Sequence, residues 1–166
     1  MKMTSAQAAK ELRKLNEEHA ALMDRENKSR EFVAAIQEDV ESVRPAYDYA
    51  LVQQQLEELE KQIRYLKHAI NTFNLTQEVP GFDMTIDQML VYLPQLMVRK
   101  MKLDVMRKKL LRERTPNYGR NNNIVEYTYA NYDIEQVQED YLKAADMLAR
   151  AQNALDAVNN SVTFEV

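Results

Sequence analysis

From Val52 to Phe73 apolar residues recur at alternating steps of four and three: Val52, Leu56, Leu59, Ile63, Leu66, Ile70 and Phe73. That spacing lays a narrow apolar stripe along one side of a helix and requires a helical partner to cover it. Glu57, Glu58, Glu60, Lys61 and Arg64 fill the intervening positions as a solvated flank. At the α-helical rise the rod is about 33 Å long.

The same step runs through Ala8, Leu12, Leu15, His19 and Leu22, in a first helix opened by Thr4 or Ser5 as N-cap. The polar run Asp24 to Arg30 interrupts it. Glu31 to Ile36 is short and partly β-branched, which predicts a strand. An extended connection from Gln37 to Tyr47 follows, with Pro45 holding Arg44 out of the helical region. Helical spacing of Val33, Ile36, Val40 and Val43 offers the alternative of one helix running on to Val43.

Asp48 caps the second helix, predicted to end near Asn74, and Pro80-Gly81 marks a turn. Thr85-Ile86-Asp87-Gln88 has the form of a capping box and opens the third helix. Its apolar side is predicted to carry Ile86, Leu90, Leu93, Met97, Met101 and Met106, widened by Val91, Val98 and Val105. Pro94 removes a backbone bond to Leu90 and predicts a kink. Thr115-Pro116-Asn117-Tyr118-Gly119 is expected to end this helix, and Arg120 to Asn123 to form a polar loop. Ile124 to Tyr129, rich in β-branched and aromatic residues, predicts a strand. Asp133-Ile134-Glu135-Gln136 repeats the capping-box form before a last helix on Ile134, Val137, Tyr141, Ala144, Leu148, Ala151, Leu155 and Val158. The tail Val162 to Val166 alternates like a short strand.

These elements predict a single, mainly α-helical domain over residues 1–166. Four long helices are expected in antiparallel, coiled-coil-like bundle packing, with a small β element at about 31–36, 124–130 and 162–166. Strands this short are marginal alone, so the extended segments are expected to pair with each other or with the tail.

The order of elements, with Asn71-Thr72-Phe73-Asn74, Thr85-Ile86-Asp87, Tyr127 to Ile134 and the end from Leu155 to Val166, resembles the septicolysin-like family of small bacterial helical proteins. The resemblance covers most of the chain and implies the helical layout. Through the family's name it also implies a membrane-active, cytolysin-like protein as a further alternative.

Composition narrows the chemistry. The chain has 166 residues and no cysteine, which removes disulfides, thiolate metal sites and cysteine nucleophiles. Two glycines and four prolines are few breakers, as long helices require. The polar start, Met1 to Lys14, has no apolar core of a signal peptide, and no run of 18 apolar residues occurs. A cytoplasmic location is expected. The net charge of −4 selects no partner.

No glycine-rich phosphate loop, H-E-x-x-H or G-x-S-x-G is present, so no catalytic residue, cofactor, metal ligand or small-molecule substrate is assigned. His19 on the first seam has the chemistry of a metal ligand or pH switch, but a hydrogen bond at a helix interface accounts for it. His68, Asn71, Asn74 and Asp83 lack metal spacing and suit capping and turn formation better. Arg99, Lys100, Lys102, Arg107, Lys108, Lys109, Arg112 and Arg114 make the end of the third helix basic. They are the candidate partner surface, for nucleic acid or another polyanion. The competing account sets them against acidic flanks such as Glu57, Glu58 and Glu60. Tyr127, Tyr129 and Tyr132 suit cross-strand packing, for instance on Phe32 or Phe164, more than an exposed aromatic patch.

The expected function is therefore a structural or interaction protein that self-associates, at least as a dimer; polyanion binding is the alternative. The second helix's seam is flanked by Gln55, Arg64 and Lys67, which suits a close two-helix contact. The surplus apolar surface at Val91, Val98 and Val105 then needs other cover, and a second copy is the most available, with Leu90 to Met106 contributing.

Overall fold

The structure, a computed structural model, describes residues 1–116 and 125–166. In chain order the elements are β1 (Lys2–Thr4), α1 (Ser5–Ser29), α2 (Val40–Val43), α3 (Tyr49–Thr76), α4 (Ile86–Arg107), β2 (Arg112–Arg114), β3 (Tyr127–Tyr129), α5 (Ile134–Ser161) and β4 (Thr163–Glu165). The protein is mainly α-helical, with four long helices and a small amount of sheet. It divides into two compact units: Met1–Gln77 with Val158–Val166, and Glu78–Ala157.

In the first unit α1 and α3 pack antiparallel along the two predicted seams. Ala8, Leu15 and Leu66 are buried together, with Leu12, Leu59, Ile63 and Ile70 packed around them. The seam of α1 reaches a polar residue one step beyond Leu22, at Glu26. Its Oε1 accepts from the Tyr47 hydroxyl and from Gln53 Nε2, both at 2.7 Å, so the carboxylate is satisfied where the apolar stripe gives out. At the opposite end of the hairpin, β1 pairs antiparallel with β4, Met3 opposite Phe164. The Phe164 ring stacks on Phe73 with centroids 4.5 Å apart.

Capping chemistry sets the helix starts. Thr4 accepts from the Gln7 amide at 3.2 Å while Gln7 Oε1 accepts from the Thr4 amide at 3.0 Å. Thr85 and Gln88 make the same reciprocal pair at α4. Asp133 caps α5 through the amides of Glu135 and Gln136, and Gln136 Nε2 donates to Asp140 one turn on. Before α4, Val79-Pro80-Gly81-Phe82 makes a tight turn in which Phe82 N–H donates to Val79 O at 3.1 Å. Gly81 sits at φ +80°, the left-handed region that favours glycine.

In the second unit α4 and α5 lie antiparallel. The Tyr132 hydroxyl donates to Met106 O at 2.9 Å, and Arg107 Nη1 donates to Gln138 Oε1 at 3.2 Å. Further along, Leu96 and Leu103 of α4 line a shared groove with Ala144 and Met147 of α5. The α5 seam is as the four-three step predicts: Val137, Ala144, Leu148, Ala151, Leu155 and Val158 are buried.

Four expectations need correction. The helix break at Arg30 is present, its N–H donating to Glu26 O at 2.8 Å, yet residues 31–36 form neither a strand nor a continued helix. No strand edge receives them, and Val33 and Ile36 are fully exposed. The backbone is satisfied locally instead, with Ala35 N–H donating to Glu38 Oε2 and Glu38 N–H to Ala35 O, both at 3.0 Å. The connection also holds a one-turn helix, α2, capped by Asp39.

The third helix, α4, stops at Arg107 and not near Thr115; Arg112–Arg114 pairs as a strand with Tyr127–Tyr129. That pairing and the pairing of β4 with β1 replace those expected among 31–36, 124–130 and the tail. Of the turn, loop and strand expected here, residues 117–124 lie outside the described residues.

Finally, α4 buries Ile86, Met89 and Leu96, with Leu93 and Leu103 partly buried. Leu90, Met97 and Met101, expected inside, share the outer side with Val91, Val98 and Val105. Apolar residues stand side by side in this helix, as in Met89-Leu90-Val91 and Leu96-Met97-Val98, so two phases of the same step fit it equally well. Contact with α5 selects one of them.

Candidate functional site

The outer face of α4 is set by that choice of phase. Leu90, Val91, Met97, Val98, Met101 and Val105 are between 47% and 66% exposed, on a helix whose Leu96 and Leu103 line the groove shared with α5. A contiguous stripe of large apolar side chains in water is uncommon on a protein that works alone.

The eight basic candidates do not act as one patch. Arg107 is built into the fold. It donates to Asp104 Oδ1 from Nε at 2.8 Å and from Nη2 at 2.7 Å, and lies 4.1 Å over the Tyr141 ring. Lys108 also pairs with Asp104, and these two cations, Lys108 foremost, hold the Asp104 carboxyl below its ordinary value through hydrogen bonds. Lys109 reaches Glu113 at 3.8 Å. Each of these three cations thus has a carboxylate partner on its own stretch of chain. Arg99 and Lys102 line the α4–α5 groove of about 490 Å³ beside Lys143 and Asp140, and Lys100 is half-buried.

Arg112 and Arg114 stand on β2, where the register sets Arg112 opposite Tyr129 and Arg114 opposite Tyr127. Side chains alternate across a strand, so these four share one face of the ribbon, while Glu113 and Thr128 point to the other. The Thr115 and Thr128 hydroxyls meet at 2.9 Å on that second face. Arg112 lies 4.7 Å over the Tyr127 ring. Neither arginine has an ion-pair partner among the described residues. The tyrosines therefore form an exposed basic and aromatic surface, not packing for Phe32 or Phe164.

The sequence reading missed this ribbon because Arg112 to Arg114 was assigned to the basic helix. The available signal was the alternation in Leu111-Arg112-Glu113-Arg114-Thr115, followed by Pro116, which disfavours a helical residue before it. Tyr132 is not part of the surface, since its hydroxyl is held by Met106 O.

His19 Nε2 lies 3.4 Å from Glu60 Oε1 across the α1–α3 seam. His68 O accepts from Thr72 Oγ1 within α3. Asn74 Oδ1 is enclosed and has no hydrogen-bond partner among the described residues. No group of three metal-binding side chains occurs among the described residues, and no described helix is long and apolar enough to cross a membrane. Between α1 and α3 a groove of about 610 Å³ is floored by Ala21, Leu22, Leu51 and Leu59.

No family model matches the chain, and no curated protein matches it. A crystal structure of a functionally unknown conserved protein from Corynebacterium diphtheriae is similar in fold. Its TM-score is 0.61 at 18% sequence identity, covering 99% of this chain and 100% of that one. At that identity the likeness concerns the fold alone.

Proposed function

We propose that this is a cytoplasmic structural or interaction protein that self-associates, with the outer face of α4 as the contact between copies. The observation that carries the reading is the exposure of Leu90, Val91, Met97, Val98, Met101 and Val105 on one side of one helix. Covering such a stripe removes apolar surface from water at roughly 25 cal/mol per Å², the largest favourable term in most associations. A second copy fits because Asp87 stands at the start of the helix and Lys109 just past its finish, where its own pair with Glu113 is a loose 3.8 Å. An antiparallel pair of identical helices sets those ends against each other. The reading assigns no catalytic step to the chain.

Light scattering at micromolar concentration tests the reading. The expected mass is at least twice that of one chain, and Val98→Glu or Met101→Glu should return it to 19.4 kDa. A single-chain mass for the unaltered protein overturns it. The alternative reading, a polyanion-binding helix end, is weakened by the carboxylates beside Arg107, Lys108 and Lys109. What remains of it lies on the ribbon, in Arg112 and Arg114.

A further inference from the structure

We propose that the Arg112–Arg114/Tyr127–Tyr129 face of the β2–β3 ribbon binds single-stranded nucleic acid, the two rings stacking on bases and the two guanidiniums holding phosphates. This is a second surface, independent of the α4 contact.

The argument begins with alternation. A two-stranded ribbon presents every second residue of each strand to one side, and here that side carries two cations on one strand and two rings on the other. Along β2 it reads Arg112 then Arg114; along β3, Tyr127 then Tyr129; across the strands, Arg112 meets Tyr129 and Arg114 meets Tyr127. Tyr127 and Tyr129 are 45% and 62% exposed, Tyr127 with Arg112 over one of its faces. Residues two apart on one strand stand about 7 Å apart, and neighbouring strands about 5 Å. Two bases therefore find two rings, each with a cation beside it.

Charge sorts the same way. The acidic residues of the hairpin, Glu113 and Glu126, fall on the opposite face by the alternation, and Glu113 is already engaged with Lys109. In a chain of net charge −4, this face carries two arginines and no acid. The Arg112 guanidinium over the Tyr127 ring sets a cation directly beside a ring, and its in-plane donors are the groups that bind a phosphate oxygen.

A single strand is favoured over a duplex because the rings can use their flat faces only on bases that are not already stacked. It is favoured over an anionic lipid surface because the four residues of the face include no aliphatic side chain to enter a bilayer.

Fluorescence anisotropy with a labelled 20-nucleotide single strand, its duplex and anionic vesicles tests the proposal. Binding to the single strand is expected to exceed binding to the duplex and to fall as salt rises. Tyr127→Leu and Tyr129→Leu should each weaken it about tenfold or more. Tyr127→Phe and Tyr129→Phe keep the ring and should leave it unchanged, which also separates loss of stacking from loss of the hairpin. Arg112→Gln with Arg114→Gln should lower the slope of log affinity against log salt by about 1.4. The proposal is overturned by no binding to the single strand at low salt, by equal or tighter binding to the duplex, or by binding to vesicles alone. Insensitivity to both the leucine and the glutamine changes also overturns it.

Discussion

Tyr47 fastens the connection between α1 and α3 to the hairpin. Its hydroxyl donates to Glu26, and that bond, aided by burial and the negative charge, raises the phenol to about 12. A group whose folded-state value lies above its unfolded one stabilises fully below the unfolded value and loses that contribution as pH rises through the folded one. For Tyr47 the window runs from about 10 to about 12. Urea midpoints measured at pH 8 and pH 11 should fall more for the unaltered protein than for Tyr47→Phe, which starts lower and lacks this slope. Asp104 works in the other direction. Lys108 and Arg107 depress its carboxyl, so its contribution is present above the ordinary carboxylate range and is lost on acidification through the folded value. Asp104→Asn should flatten the acid limb of the stability profile. Gly81 is a third residue whose role is local. Nothing lies near the place a Cβ would occupy, so packing does not forbid Gly81→Ala, but φ +80° does. The expected cost is about 1 kcal/mol in chemical denaturation, with Gly81→Asn nearer to neutral.

At the scale of elements, α1, α3 and α5 were legible because one phase of the four-three step is much the fuller in each. Leu66 lies between Arg64-Tyr65 and Lys67-His68, with no other aliphatic stripe to join. In α4 the same reasoning failed, since Met89 and Leu90, or Leu96 and Met97, are adjacent and equally apolar. Only the facing helix distinguishes them, and that information is not local. A pair of substitutions checks the phase. In dilute protein Leu96→Ala should cost roughly 2–5 kcal/mol, whereas Met97→Ala should stay within about 0.5 kcal/mol. The β segments were harder for a similar reason. A strand is defined by its partner, and three-residue strands carry too few positions to announce one. Glu31 to Ile36 had the composition of a strand but no edge to join, while Lys2–Thr4 had little strand composition and found Thr163–Glu165. Of the candidate surface, the basic residues were legible as a cluster by charge alone. Their division into fold-bound Arg107, paired Lys108 and Lys109, and ribbon-borne Arg112 and Arg114 depends on where α4 ends.

For the whole molecule, the proposed contact between copies has a geometry that can be tested as well as a mass. Two identical helices related by a two-fold axis across their length run antiparallel, and an axis near Val98 brings Val91 of one copy opposite Val105 of the other. The same register places Asp87 opposite Lys109, an opposite-charge pair at each end of the stripe. A two-fold axis along the helices would instead set Lys108 and Lys109 beside their own copies, at an electrostatic cost. The absence of native cysteine makes disulfide mapping direct. Facing helices pack about 8–10 Å apart, so side chains at the axis come within disulfide range of each other. Under mild oxidation Val98→Cys should give a covalent dimer in high yield, because position 98 faces itself in the antiparallel register. Asp87→Cys alone should not, since it faces position 109; the double variant Asp87→Cys, Lys109→Cys should. Efficient cross-linking of Asp87→Cys by itself would show that the copies run parallel, and failure of every one of these variants would show that α4 is not the contact.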